Sequence, residues 1–248
     1  DDTSSMRIKI LCPLLILSFA VSGMSAAQAV FLSHVKDKAA VARAAEMLAA
    51  LGGRERWAAL TSLYIRATHT EKSIPKPYRS EIWRNLDAAQ IKIVQQNEDF
   101  HQTRIVNGPR GWSVDRGGAV RELTAEQLGA LLHWDAHLFY KTVRKVALGR
   151  PGLDLKLDEK GRLLVYEDGR RLATLELDAR NRPYQYSVPR ADGQGDGLTI
   201  YSEWGESAGY VHPVVSEPQG LDAIYRAEEW RPSRESSTVE FTPGKKGM

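Results

Sequence analysis

Cysteine is nearly absent from this chain: Cys12 is the only one in 248 residues. It lies in an apolar N-terminal stretch that reads as a leader. The chain beyond that leader is therefore expected to have no disulfide, no Cys nucleophile and no thiolate metal site. Lipidation of Cys12 is not expected either, because it stands at the start of the apolar run, behind Ile10-Leu11, rather than at its end after small residues. An excess of one charge is missing too. Lys and Arg total 34 against 31 Asp and Glu, interspersed throughout for a net +3, so no basic block marks a nucleic-acid partner. After the leader no segment is apolar enough to cross a membrane as a helix, and a soluble protein is expected. The nucleophile elbow G-x-S-x-G, the phosphate loop G-x-x-x-x-G-K-[ST] and the dinucleotide fingerprint are all missing, so no cofactor is expected. Gly193-Gln194-Gly195-Asp196-Gly197 lies between two strand patterns rather than before a helix, and reads as a hairpin.

The N-terminus carries the first positive signal. Asp1 to Ser5 precede Met6 and read as extraneous residues. Then come Arg7 and Lys9, an apolar run from Ile10 to Val21, and small residues ending Ala27-Gln28-Ala29. That order is the basic, apolar and A-x-A pattern of a secretory signal peptide, with cleavage after Ala29. The run is only about a dozen residues and contains Pro13, whereas a spanning helix needs about 20 apolar residues. Extraneous residues plus leader over 1–29, one domain over 30–248 and a periplasmic location are therefore expected.

The remaining chain reads as strands interrupted by helix. Apolar residues from Ala39 to Leu51 recur at helical spacing and stop at Gly52-Gly53, with a short helical turn through Trp57 to Leu60. From Ser62 to about Arg121 short alternating segments are separated by turn residues. One long helix is then expected from Thr124, the N-cap of a capping box with Gln127, to Leu148, ended by Gly149 and Pro151. Alternation resumes at Leu153, Leu155 and Leu157, and Asp168-Gly169 is a strong hairpin signal. Further strands are expected at Tyr184–Val188, Leu198–Trp204, Tyr210–Val215 and Ile224–Trp230. The fold class expected is α+β: a strongly curved antiparallel sheet of about ten or more strands, a half-open barrel with helices over its concave face.

A helix carried between strands must bury one side against the sheet. It either fills the concavity as ordinary core or leaves an apolar cavity, and pattern leaves both open. If a cavity exists, Trp83, Trp112, Leu128, Leu131, Leu132, Phe139 and Leu155 are the candidate lining residues. His133 and His137 share a helical face at i and i+4. The zinc-peptidase pattern also needs Glu after the first His, where Trp134 stands, and no third ligand is identifiable, so no metal site is expected. Carboxylates are scattered, and no acid–base pair can be chosen.

Some of these segments carry a resemblance. The helix ending Leu51-Gly52-Gly53, then Trp57-Ala58-Ala59-Leu60-Thr61-Ser62-Leu63, resembles the LolA-like proteins of the bacterial periplasm. So do Ile105-Val106-Asn107-Gly108-Pro109-Arg110-Gly111-Trp112, the run Val120-Arg121-Glu122-Leu123-Thr124 into the helix, and Gly209-Tyr210-Val211-His212-Pro213. The resemblance implies a helix-lidded half-open barrel whose apolar cavity receives the acyl chains of lipids or lipoproteins. A membrane-bound donor or acceptor would be a partner, and no chemistry of the protein's own is implied. The long C-terminal half departs from a close LolA match, so no lipoprotein-contacting residue is carried over. Two alternatives stand beside the carrier. One is a cell-envelope enzyme acting on a hydrophobic or glycan substrate; the other is an outer-membrane β-barrel, disfavoured by the charged Asp154, Lys156 and Asp158 face.

Overall fold

The computed structural model describes residues 32–243, and the extraneous residues and leader expected over 1–29 lie outside the described residues. Helix α1 (Lys38–Ala50) begins where the Asp37 carboxylate accepts the Ala40 N–H at 3.0 Å. It buries Ala40, Ala44, Met47 and Leu48, the stripe that the spacing predicts. At its end Gly52 has φ +103°, and a Cβ there would lie 2.1 Å from the Gly209 carbonyl oxygen. Only glycine permits both the backbone conformation and that close approach. Helix α2 (Arg54–Ala59) comes at once after it and buries Trp57, whose indole N–H donates to the Leu51 carbonyl at 2.8 Å.

Two antiparallel meanders make up the sheet. The first contains β1 (Ser62–Glu71), β2 (Tyr78–Asn85), β3 (Gln90–Gln96), β4 (His101–Asn107), β5 (Arg110–Asp115) and β6 (Val120–Glu122). The second contains β7 (Leu153–Leu157), β8 (Leu163–Glu167), β9 (Arg170–Leu177) and β10 (Pro183–Pro189), then β11 (Asp196–Ser207), β12 (Tyr210–Pro218) and β13 (Ala223–Ser233). All thirteen join one sheet in the order β6-β5-β4-β3-β2-β1-β13-β12-β11-β10-β9-β8-β7. The alternation in the sequence marks these strands. It carries no signal for the seam, where β1 and β13 run antiparallel from Ser62↔Ser233 to Glu71↔Ala223. The sheet is open, with β6 and β7 as its two edges. This order differs from a membrane barrel, which must close to leave no strand edge in lipid.

Both edges are blunted, as free strand edges need to be. β6 is three residues long. β7 is covered by the segment before α1, where the Leu157 N–H donates to Asp37 at 2.9 Å and His34 Nε2 meets the Leu153 carbonyl at 2.8 Å.

Since β6 and β7 lie at opposite edges, the chain between them must cross the whole sheet. It does so as two helices rather than the expected single one: α3 (Ala125–Ala136) and α4 (Phe139–Leu148). The capping box of Thr124 and Gln127 is present, and Gly149 ends α4 in the left-handed conformation. The middle of the segment departs from a continuous helix. Leu138 is extended (φ −66°, ψ 135°), with neither glycine nor proline to signal a break. The cause is tertiary. The Tyr186 hydroxyl donates to the His137 carbonyl at 2.8 Å and also meets Thr142 Oγ1 at 2.8 Å, which satisfies the turn that the break exposes. Just before the break, Asp135 is buried between Arg84 (2.9 Å) and Lys141, fixing the end of α3 to β2.

Candidate functional site

The crossing helices do not fill the concavity. An apolar cavity of about 450 Å³ remains between the α3–α4 corner and the sheet, within the size range of small-ligand sites. Its wall includes Thr199 on β11 and Arg104 on β4. Six strand spacings separate these strands, roughly 29 Å if the sheet were flat. That both border one cavity shows how strongly the sheet curves.

The strand registers order the wall into rows. Ile65, Ile82, Ile93 and Arg104 stand side by side across β1, β2, β3 and β4. The next row runs Ala227, Ala67, Ser80, Gln95 and Gln102 across β13 to β4, and the row beyond it holds Tyr225, His69 and Tyr78. Opposite them Leu131, Leu138 and Phe139 descend from α3 and α4. The cavity is thus greasy beside the helix corner and becomes amide- and phenol-lined farther along the strands. It is continuous, through the shared residues Tyr78, Gln95, Arg104 and Tyr225, with a second recess of about 490 Å³ that also holds Glu71 and Gln102. Leu221, 62% exposed, and Trp134, 42% exposed, stand on the rim.

Charge inside is restrained. The Arg84 guanidinium sits over the Trp134 ring, 3.9 Å from its centroid, and pairs with Asp135, which it shares with Lys141. Burial pushes the Arg84 and Lys141 pKa values down, and Asp135 opposes this in both cases. Lys141 completes its coordination with the Ala88 carbonyl at 3.1 Å. His69 is sandwiched by Tyr78 and Tyr225, and burial drops its pKa to about 4, so it is neutral at pH 7.

His69 Nε2 and Ser80 Oγ lie 2.5 Å apart, a spacing with the look of a nucleophile–base pair. A working pair needs an orienting group on the other imidazole nitrogen and an approachable hydroxyl. His69 Nδ1 has no hydrogen-bond partner and Ser80 has no exposed surface, so the geometry supplies neither.

The seven residues singled out from sequence are dispersed. Leu131 and Phe139 form part of the cavity wall. Leu128 and Leu132 lie beside it, packed with Leu131 on Ile91, Ile93 and Val106. Leu155 is fully buried in the main core with α1, α2 and α4. Trp83 and Trp112 occupy the other face of the sheet, in a cluster with Ile105 and Phe241, because Ile82 and Arg84 take the inward positions of β2. The His133 and His137 rings lie 4.2 Å apart, tilted by 34°, but His133 Nε2 meets the Pro189 carbonyl at 2.9 Å and His137 Nδ1 the His133 carbonyl at 2.9 Å. Among the described residues no group of three metal-capable side chains occurs. Sequence reading passed over His69, Tyr78, Ser80, Arg84 and Arg104. Period-two counting from Ile65 and Ile82 reaches the first four.

No family model matches the chain, and no curated protein matches it. Among solved structures it is similar to a putative outer membrane lipoprotein-sorting protein domain from Vibrio parahaemolyticus. The identity is 10% and the TM-score 0.45, over 76% of this chain and 93% of that one. A DUF1329 family protein from Desulfovibrio piger gives 10% identity and a TM-score of 0.49, over 84% and 98%. A LolA superfamily protein from Nitrosomonas europaea gives 10% and 0.43, over 75% and 91%. Likeness at this level carries no functional argument, so function has to be read from the cavity itself.

Proposed function

We propose that this protein binds a lipid or the acyl part of a lipoprotein in the cavity and carries it through the periplasm. The observation that supports this reading is the unfilled apolar space under the α3–α4 corner, lined by Ile65, Ile82, Ile93, Leu131, Leu138 and Phe139. A chain that bends its crossing helix without glycine or proline, and holds the bend with Tyr186, keeps a concavity that a straight packed helix would occupy. Burying an acyl chain there releases about 0.8 kcal/mol per methylene removed from water. Export through the leader over 6–29 supplies the compartment, and a membrane-bound donor or acceptor supplies the cargo.

Native mass spectrometry and solvent extraction of the protein purified from a periplasmic fraction test both parts. An acyl-bearing ligand in wild type, lost in Ile82→Trp where the indole fills the cavity, is the expected outcome. A folded wild-type protein that takes up no acyl compound, natural or added, would overturn the carrier reading. N-terminal sequencing should find the chain starting at Val30; retention of residues 6–29 would overturn cleavage.

A further inference from the structure

Arg104 ends the apolar row Ile65–Ile82–Ile93 and stands where the cavity meets the second recess. Its Nε and Nη2 both donate to Gln102 Oε1, at 3.2 and 2.9 Å. Those two bonds occupy one side of the guanidinium and leave Nη1 without a partner. Among the described residues no carboxylate pairs with it. Its cavity-facing counterpart Arg84 has Asp135, while the half-buried Arg66 and the exposed Arg79 and Arg226 all have glutamates. The other charged groups around the opening are committed elsewhere. Glu71 accepts from the Tyr78 hydroxyl, and Lys72 pairs with Asp222 at 3.2 Å. His69 is neutral.

A half-buried guanidinium, braced by an amide and unpaired at the end of an apolar channel, matches one kind of molecule. We infer that the cavity selects an anionic amphiphile, its acyl chain along Ile93, Ile82 and Ile65 toward Phe139 and its carboxylate or phosphate on the free edge of Arg104. This rests on the carrier reading and narrows it to a ligand class. The planar fork of arginine suits either anion, since both accept two parallel N–H bonds. The head would lie between Arg104, Gln95 and Tyr225, where the wall is polar, and the tail where it is not.

Three probes with one dodecyl-length chain separate the possibilities: dodecanoate, dodecyl phosphate and neutral monododecanoyl glycerol, each titrated calorimetrically into delipidated protein. Wild type should bind at least one anionic probe about tenfold more tightly than the neutral one, the discrimination expected of one charge-assisted pair. Which anion gains more identifies the head as carboxylate or phosphate. Arg104→Gln should bring all three within about twofold while leaving the neutral probe unchanged, and Arg104→Lys should fall between. Arg79→Gln, on the opposite face of β2, should alter nothing. Equal binding of all three probes by wild type would overturn the selectivity and leave the carrier standing. So would a preference that survives in folded Arg104→Gln. No binding of any probe would overturn both.

Discussion

The two helices that cross the sheet are neighbours in the chain yet differ sharply in how they are used. Eight of the ten residues of α4 are buried, including Thr142 and Arg144. Of the twelve residues of α3, Asp135 alone is buried. Beneath α4 the second meander, α1 and α2 close one large core around Trp57, Tyr140, Tyr210 and Trp230, whose rings stack and tilt against each other. Beneath α3 there is only a small cluster on Ile91, Ile93 and Val106, and beside it the cavity. One side of the molecule holds the fold, and the other is left underfilled. The contrast teaches that the cavity is no defect of packing, because the same sheet packs densely a few strands away.

The largest test of that division is Trp57→Ala. It should lower unfolding free energy by about 3–5 kcal/mol in urea titration, since no neighbour can refill so large a buried space. Comparable stability to wild type would show that the dense half is not the support. Asp135→Ala comes next, at about 3 kcal/mol, because Arg84 and Lys141 would be left charged and unpaired in the interior. Tyr186→Phe removes only the hydroxyl that holds the corner between α3 and α4. It should cost about 1–2 kcal/mol and raise hydrogen exchange at Leu138. Leu131→Ala, in the underfilled half, should cost less than about 1 kcal/mol, because partly buried positions lose little on truncation. Lipid uptake is the readout it should lower.

The smallest effect concerns pH. The Ala40 N–H, then the Leu157 N–H, hold the Asp37 carboxyl below its ordinary 3.8. A carboxyl depressed in the folded state stabilises above its unfolded pKa, and that help is lost as pH falls through the folded value. Wild type and Asp37→Asn should therefore differ in melting temperature at pH 6 and converge as pH drops below 3.8. A gap that widens on acidification would contradict the assignment.

Local structure was largely legible in the residues. Alternation from Leu153 to Leu157, the Asp168-Gly169 turn with both φ values positive, and the Thr124–Gln127 box all appear where the pattern places them. The break at Leu138 was not legible, because its cause is a hydroxyl on Tyr186, far along the chain. For the cavity, hydrophobicity was an incomplete guide. It found Leu131 and Phe139, but it also selected Trp83 and Trp112, which β2 and β5 direct to the other face. Large apolar side chains serve any buried surface; inward direction comes from register, and register across β1, β2, β3 and β4 is a property of the assembled sheet.

The seam between β1 and β13 bears on how the molecule comes into being. It joins segments far apart in sequence, Thr61 N–H reaching the Ser233 carbonyl 172 residues later. Contacts this distant form slowly, and here they lie in the middle of the sheet rather than at a margin. Until β13 has emerged, the first meander has nothing to join to the second, and Trp57 lacks the Trp230 ring. A chain folding from its N-terminus thus lacks the central strand of its sheet until Ala223–Ser233 can dock, and only then can the two meanders join.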